Sequence, residues 1–253
     1  MSHPLFLFCL TGLFCFSPFD VTEAAEKKKQ ALTQDQIYQK AIDMLDGKKV
    51  MQDPKGAVKI LIENADNGHV PSMVLLSGCC RDGLGTPRNP DAAVRIMVKA
   101  ANKGAADAQR RLALFYYEGI GVQRDYKTAL YWFQKAADQD DPIALYFVGT
   151  FYSQGTEVEK DDSEALSLFL KAAYLNEPRA QVIAAGCYAN GFGTSRDYGE
   201  AFAWALVAAD NGFPTTKNQL YPLMTQRALD EARPRAKELK KKIAAQCKFA
   251  KNK

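Results

Sequence analysis

The sequence predicts an all-α fold, a solenoid of helix–turn–helix repeats with a period of 36 residues. Three observations predict it: small and helix-capping residues recur at that period, each unit holds two amphipathic helical patterns, and a turn containing Gly-x-Gly joins them. The clearest unit is residues 107–142, with Gly119 and Gly121 in its turn. One such hairpin cannot bury its apolar face, whereas stacked hairpins share a continuous core. The 253 residues are therefore expected to form one elongated array.

Four columns of residues obey the period over five units. One column is Ala65, Ala101, Ala137, Ala173 and Ala209. A second is Ala57, Ala93, Ala129, Ala165 and Ala201. The glycine column is Gly47, Gly83, Gly119, Gly155 and Gly191. The fourth column is Asp53, Asn89, Asp125, Asp161 and Asp197. The alanines let helices approach closely, and the glycines permit the positive φ that ends a helix.

The Asp and Asn column is predicted to cap the second helix of each unit. These side chains accept a hydrogen bond from a backbone N–H that has no partner inside the helix. Pro54 and Pro90 follow their caps at the first helical position, where a missing N–H costs nothing. Glu164 and Glu200 stand three residues after their caps, a spacing that predicts a reciprocal capping box.

The period divides the chain into segments. We predict a secretory signal peptide at 1–24, a leader at 25–34, a degenerate first repeat at 35–70, fuller repeats at 71–106, 107–142, 143–178 and 179–214, C-terminal capping helices at 215–247, and a tail at 248–253. Within the capping segment, residues 215–229 and 231–247 are each expected to form one helix.

The N-terminal segment predicts export. Residues 5–16 form an apolar run too short to span a membrane comfortably, and Thr22 and Ala24 supply small residues suited to signal-peptidase cleavage. No Lys or Arg precedes the run, which leaves an uncleaved N-terminal anchor as the alternative. We expect a periplasmic or secreted protein whose membrane contact is transient.

A resemblance follows from the central units. The pattern is Ala108-x3-Leu112-Ala113-x2-Tyr116, Gly119-x-Gly121-Val122, Asp125-x3-Ala129 and Trp132-x3-Ala136-Ala137. It resembles the Sel-one-like repeat, a relative of the tetratricopeptide repeat, over residues 35–214. The resemblance implies a right-handed α/α superhelical solenoid used as an adaptor in protein complexes. Secreted bacterial members of the family often serve in the cell envelope or in host contact.

The resemblance also implies a binding surface for a protein or peptide. First helices of tetratricopeptide relatives line a concave groove, and carrying that over gives candidate partner-binding residues Arg81, Asp107, Arg110, Tyr117, Tyr146 and Arg179. Arg and Tyr are common interface anchors. The alternative for Tyr117 and Tyr146 is partial burial between repeats.

Catalytic patterns are not found in the sequence. His69 is the only histidine after the signal segment, and a lone histidine in a turn is expected at the surface, so neither a His-rich zinc site nor a histidine-paired nucleophile is predicted. The Gly-x-Gly turns lack the Lys-Ser/Thr of a phosphate loop, and no Ser-x-x-Lys supports a penicillin-binding or hydrolytic function. We therefore expect no enzyme activity, no cofactor and no metal.

Four cysteines follow the signal segment: Cys79, Cys80, Cys187 and Cys247. Cys79 and Cys187 occupy one column three repeats apart, beyond bonding distance. Buried free thiols are the preferred interpretation. A Cys187–Cys247 disulfide is the alternative if the last helix folds back on the fourth repeat.

Charge is concentrated at the C-terminal end. Residues 217–253 hold eleven Lys and Arg against three acids, whereas residues 25–216 are close to neutral. A solvated face on a capping helix is the preferred interpretation. The alternative is a structural envelope component that contacts peptidoglycan or an anionic surface through this end. Export argues against nucleic acid as a partner, and the default oligomeric state is a monomer.

Overall fold

The computed structural model describes residues 32–48 and 50–251. These residues form helices and connecting turns, with no strand among them. The helices are α1 Gln34–Asp46, α2 Pro54–Asp66, α3 Val70–Asp82, α4 Pro90–Asn102, α5 Ala106–Glu118, α6 Tyr126–Ala137, α7 Pro142–Gln154, α8 Asp162–Tyr174, α9 Pro178–Asn190, α10 Tyr198–Asp210, α11 Thr215–Leu220 and α12 Gln226–Lys251. The predicted all-α fold is confirmed. The predicted signal peptide and most of the leader lie outside the described residues.

The helices pair into hairpins that stack in order. The pairs α1–α2, α3–α4, α5–α6, α7–α8 and α9–α10 each pack together, and every second helix packs on the first helix of the next hairpin. This nearest-neighbour packing is the solenoid that the period predicted. We refer below to first helices and second helices of the five hairpins.

The five capping residues begin the second helices. Asp53, Asn89, Asp125, Asp161 and Asp197 each accept a backbone N–H from the first turn of the following helix. The reciprocal bond expected from Glu200 does not form, because its carboxylate binds the guanidinium of Arg235 instead. Glu200 thus stabilises the contact between α10 and α12 rather than its own helix end.

The second glycine of each Gly-x-Gly turn lies against the preceding hairpin. Gly121 has φ +66°, and a Cβ built there would lie 2.4 Å from the carbonyl oxygen of Pro90. In the third fuller repeat Glu157 occupies the equivalent position with φ 61°. A side chain at Gly121 would therefore push two hairpins apart.

The core runs between the helices of each hairpin and on into the next. One alanine column lies at its centre: Ala57, Ala93, Ala129, Ala165 and Ala201 are at most 2% exposed. Aromatic rings fill the middle of the array: the rings of Phe133 and Phe147 stack with centroids 4.6 Å apart. Small residues where helices cross and large rings between them keep each hairpin in contact with its neighbours.

The C-terminal segment differs from the prediction. Residues 215–229 do not form one helix: α11 ends at Leu220, a 3₁₀ turn spans Tyr221–Leu223, and α12 begins at Gln226. No break occurs near residue 230, and α12 continues through Pro234 to Lys251, into the predicted tail. The hydroxyl of Thr225 accepts the N–H of Ala228 and starts the helix there. Burial of Leu229, Ala232, Ala236, Leu239 and Ile243 along one face holds α12 together across Pro234.

Helix α12 takes the place of a further second helix. It packs on α10 and reaches α8 of the preceding hairpin. Because α11 has only six residues, α12 can approach α10 directly. Arg235 pairs with Glu200 at the start of α10, and Lys240 pairs with Asp210 at its end. No helix in the described part of the chain is both long and apolar enough to cross a membrane.

Candidate protein-binding site

The first helices α3, α5, α7 and α9 present a continuous face, which we call the first-helix face. All six candidate partner-binding residues lie on these helices. The structure gives them different roles: Arg81 lines a groove, Asp107 and Arg110 join two hairpins, and Tyr117, Tyr146 and Arg179 belong to an aromatic cluster. Their part in binding stays a prediction.

A groove follows α3 on this face. Two adjoining cavities of about 210 and 270 Å³ share Val74, Gly78, Arg81 and Arg111 as lining residues. A Cβ added at Gly78 would meet no atom within 4 Å. The groove, which we call the α3 groove, therefore has room at its centre for a side chain from a partner.

Charged pairs rim the α3 groove. Arg81 donates through two nitrogens to both oxygens of Asp82, at 2.8 and 2.7 Å. This hydrogen bonding lowers the pKa of Asp82 and raises that of Arg81. Arg111 similarly donates to both oxygens of Asp107. Two planar guanidinium groups are thus held at the groove by carboxylates of their own helices, with remaining N–H donors for a ligand.

Arg110 is committed to the fold. Its side chain is 14% exposed and donates to Asp141 at 3.1 Å and to Asp107. Asp141 is the N-cap of α7 and accepts the N–H of Ala144 at 2.8 Å. Arg110 therefore ties α5 to the capped end of α7 in the next hairpin.

Tyr117 lies in the aromatic cluster at the centre of the array. Its ring makes edge contacts with the rings of Tyr126, Phe133, Phe147 and Phe151. Tyr117 is thus partly buried between repeats, which was the alternative prediction for this residue. The edge of Tyr117 still lines a small cavity of about 110 Å³ with Thr150.

Tyr146 and Arg179 form a pair across two hairpins. The guanidinium of Arg179 lies over the Tyr146 ring, 4.5 Å from its centroid, and Arg179 also donates to Glu177 at 2.7 Å. A cation held over a tyrosine face is oriented for further contacts. The pair is half-buried on the first-helix face.

The expectation that His69 is a surface residue is wrong. His69 is 9% exposed and caps α3, with the N–H of Ser72 donated to Nδ1 and Nε2 lying 3.0 Å from Asp35. The hydroxyl of Ser72 lies 2.8 Å from Nδ1, so a histidine-paired hydroxyl does exist. Ser72 is fully buried and also accepts a hydrogen bond from Asn64, so no substrate reaches its Oγ. The network holds the first two hairpins together.

The four cysteines are free thiols, and the alternative of a Cys187–Cys247 disulfide is wrong. Cys247 on α12 lies near Asn176 and Asn211, which belong to the turns between repeats. Cys187 lies at the other end of α9, where its carbonyl accepts the N–H of Gly191. Burial raises the pKa of the Cys79 and Cys187 thiols.

Sequence reasoning included Arg81 of the α3 groove but missed Gly78 and Arg111, which also line it. Gly78 stands where the next repeat has Leu114, so the gap was visible as a missing side chain in a column. Arg111 was not predicted, because its neighbour Arg110 was chosen as the partner-binding residue of this helix. Among the described residues, no group of three or more His, Cys, Asp or Glu could hold a metal ion.

Comparison with known families decides the classification. The model of the Sel1 repeat matches residues 70–104, 106–141, 142–177 and 178–213. The chain belongs to the Sel1 repeat family. The predicted Sel-one-like repeats are thereby confirmed. Sel1 repeat proteins are generally non-catalytic scaffolds for protein interactions.

Solved structures are similar to the chain. A Sel1 repeat protein from Oxalobacter formigenes is 26% identical with a TM-score of 0.70, over 81% of this chain and 88% of its own. The immunity protein Pa5087 from Pseudomonas aeruginosa is 18% identical with a TM-score of 0.50, over 86% of this chain and 81% of its own, and shares the fold. No curated protein matches the chain.

Proposed function

We propose that this Sel1 repeat protein is an exported, non-catalytic scaffold that binds a segment of a partner protein along its first-helix face. The observation that carries the proposal is the open α3 groove. It combines apolar walls from Val74 and Leu114, the gap at Gly78, and the guanidinium groups of Arg81 and Arg111. Apolar surface beside oriented donors is the composition of an interface centre.

Filling the groove tests the proposal. Gly78→Leu gives α3 the side chain that Leu114 supplies one repeat later, and it replaces a helical glycine, so the fold is expected to stand. The mature chain, residues 25–253, is used to capture proteins from an envelope extract, with quantitative mass spectrometry. We expect a stoichiometric partner whose recovery falls with Gly78→Leu and with Arg81→Ala.

A matched arginine variant controls for charge. Arg95→Ala on α4 removes an exposed arginine from a second helix, away from the groove. Partner recovery should stay at the level of the unmodified chain. Equal capture by Gly78→Leu, Arg81→Ala and the unmodified chain would exclude the α3 groove as the binding site.

Export is a separate part of the proposal. The apolar run of residues 5–16 and the small residues before Ala25 support it. Cell fractionation with N-terminal sequencing is the test. We expect a chain that starts near residue 25 outside the cytoplasm, and an intact chain in the cytoplasm would contradict export.

A second candidate is contact with an anionic envelope surface. Lys237, Lys241 and Lys248 are exposed on α12, and none pairs with a carboxylate in the described part of the chain. A cationic stripe of this kind attracts anionic polymers and lipids. Binding to peptidoglycan sacculi that falls steeply with salt and with Lys237→Gln plus Lys241→Gln would support it. Salt-insensitive binding, or none, would leave the α12 stripe as a solvated face.

A further inference from the structure

A large cavity lies away from the first-helix face. It has a volume of about 840 Å³ and lies between the turn after α6, helix α8 and the end of α12. Its walls are Asp138 and Asp140 from the turn, Leu170, Lys171 and Tyr174 from α8, and Leu175 just after α8. Gln246 and Phe249 of α12 close one side. We call it the α8 cleft, and it shares no residue with the α3 groove.

The α8 cleft is the repeat equivalent of a surface that is already occupied. Helix α12 packs on α10, and beside this contact Asn176, Val207, Asp210 and Asn211 face Lys240, Ile243 and Cys247 of α12 across a cavity of about 290 Å³. Subtracting one period of 36 residues from these four positions gives Asp140, Lys171, Tyr174 and Leu175. All four line the cleft. The array therefore contains this surface twice, and α12 covers one copy of it.

The α8 cleft is more apolar than the equivalent surface one repeat earlier. Leu170 stands where that repeat has Gln134, Tyr174 where it has Asp138, and Leu175 where it has Gln139. Gln139 donates to the carbonyl of Gly104 in the preceding turn at 2.9 Å. Leu175 cannot donate a hydrogen bond of this kind. At this position a hydrogen bond between turns is therefore replaced by apolar surface that faces the cleft.

The cleft also carries acidic groups on one wall. No cation of the described residues lies within ion-pair distance of Asp138. Asp140 has φ 62° at a position where other repeats have Gly68, Gly104 and Gly212, and its carboxylate pairs with Lys171 at 2.7 Å. On the copy of the surface that it covers, α12 supplies Lys240 to Asp210.

We propose that the α8 cleft binds a lysine-bearing amphipathic helical segment of a partner protein, in the manner in which α12 lies on α10. The apolar face of the segment packs on Leu170, Tyr174 and Leu175. Its cation pairs with Asp138, an acidic residue that lines the cleft just after α6, whereas the cleft position equivalent to Asp210 is Tyr174. Helix binding in a groove uses apolar anchors one turn apart, and the charges set its orientation.

The test uses a synthetic peptide of stated sequence. The probe has the sequence of residues 235–249 with serine in place of Cys247, and it is labelled at its N-terminus. Fluorescence anisotropy with the full chain should give a dissociation constant of about 1–100 µM, as for modest helix–groove contacts. A matched peptide with Leu239→Ser and Ile243→Ser should bind at least about tenfold more weakly, because it lacks the apolar face.

The cleft variants take their residues from the preceding repeat, which keeps them compatible with the fold. Asp138→Asn with Asp140→Gly introduces the residues of Asn102 and Gly104. This pair should weaken binding about tenfold at low salt and flatten its salt dependence. Leu170→Gln with Leu175→Gln introduces the residues of Gln134 and Gln139. That pair should weaken binding about tenfold and leave the salt dependence unchanged.

Two controls separate the cleft from other sites. Gly78→Leu in the α3 groove should leave peptide binding unchanged, so this inference and the proposed function can fail independently. Asp210→Asn on the surface that α12 covers should also leave it unchanged. Binding that both cleft variants retain, or that only Asp210→Asn removes, would show that the peptide displaces α12 and would overturn the proposal. So would the lack of saturable binding up to about 1 mM peptide.

Discussion

Arg235 of α12 and Glu200 of α10 form a two-point ion pair across the C-terminal end of the array. Nε lies 2.8 Å from one carboxylate oxygen and Nη2 lies 3.1 Å from the other. The Glu200 side chain is 15% exposed, and hydrogen bonding to it raises the pKa of Arg235. The two residues are 35 apart in sequence, so the pair fixes the register of α12 on the last complete hairpin.

Breaking this pair should destabilise the chain. Glu200→Gln keeps the volume and removes the two-point carboxylate partner of the guanidinium, which retains its contact with Glu238 on its own helix. We expect the free energy of unfolding to fall by about 1–2 kcal/mol, a value kept low because Arg235 stays about one-third exposed. Urea denaturation at pH 7 measures it. Glu231→Gln, which loses an exposed i,i+4 pair with Arg227, serves as the control and should not change the midpoint.

Two helical glycines should respond oppositely to alanine. A Cβ at Gly149 would lie 2.9 Å from the Phe169 ring, whereas one at Gly78 would meet nothing within 4 Å. Gly149→Ala should lower the free energy of unfolding by about 1–3 kcal/mol through overpacking. Gly78→Ala should raise it by about 0.5–1 kcal/mol, because glycine is a poor helix former. Thermal denaturation of both variants, with the unmodified chain alongside, gives the comparison. Equal shifts in one direction would contradict the packing at Gly149.

The buried thiols predict an alkaline loss of stability. Burial raises the pKa of Cys79 and Cys187, so the folded state favours the neutral thiol. Their contribution to stability is complete below the unfolded thiol pKa of about 8.5 and is lost as the pH rises through the higher folded value. Denaturation at a series of pH values from 7 upward should show this decline.

A double variant isolates the thiols. Cys79→Ala with Cys187→Ala should make the decline shallower, and the part that remains belongs to groups such as Tyr188, whose pKa burial also raises. Both native thiols should react slowly with a disulfide reagent at pH 8, because little thiolate is present. Reaction as fast as in urea would show that the two side chains are accessible.

The cap at His69 can be tested by exchange of its side chain. His69→Ala removes the acceptor for the Ser72 N–H and leaves the buried Ser72 and Asn64 side chains short of a partner. The free energy of unfolding should fall by about 1–3 kcal/mol. His69→Asn restores a capping acceptor and should recover part of the loss. Two equally destabilised variants would assign the effect to the contact with Asp35 or to packing against Tyr38 instead.

The features that the sequence could predict are those that recur or act locally. The columns of alanine, glycine and Asp or Asn repeat five times, and each cap needs only the N–H groups of its own first turn. The carboxylate of Glu200 binds Arg235 of the following helices and makes no capping bond. The capping spacing alone could not predict that contact. His69 was placed at the surface because it is a lone histidine in a turn. The pattern of the turn did not show that the fold brings Asp35 and Ser72 to its ring. Helix α12 crosses Pro234 because its apolar face is buried, and helix propensity alone did not show that burial.

The candidate site shows the same contrast between local features, which the sequence can predict, and contacts between hairpins, which it cannot. The family resemblance pointed to the first helices, on which the α3 groove lies, but it gave Arg110 the role of a free anchor. Its carboxylate partner Asp141 belongs to the next hairpin and has a second role as a cap. The α3 groove depends on a side chain that is missing, Gly78, and a search for interface-type residues does not detect a gap.

Helix α12 changes how the array can open. In the regular part, each hairpin packs on its direct neighbours, so a local opening needs to break few contacts. Because α12 lies on α10 and also touches α8, release of either hairpin requires α12 to move first. Amide hydrogens of α8, α10 and α12 should therefore exchange with solvent as one cooperative group, while those of α1 and α2 exchange earlier. The last helix thus joins the C-terminal hairpins into one unit that unfolds cooperatively. The N-terminal hairpins, to which no such helix binds, are therefore expected to open more readily.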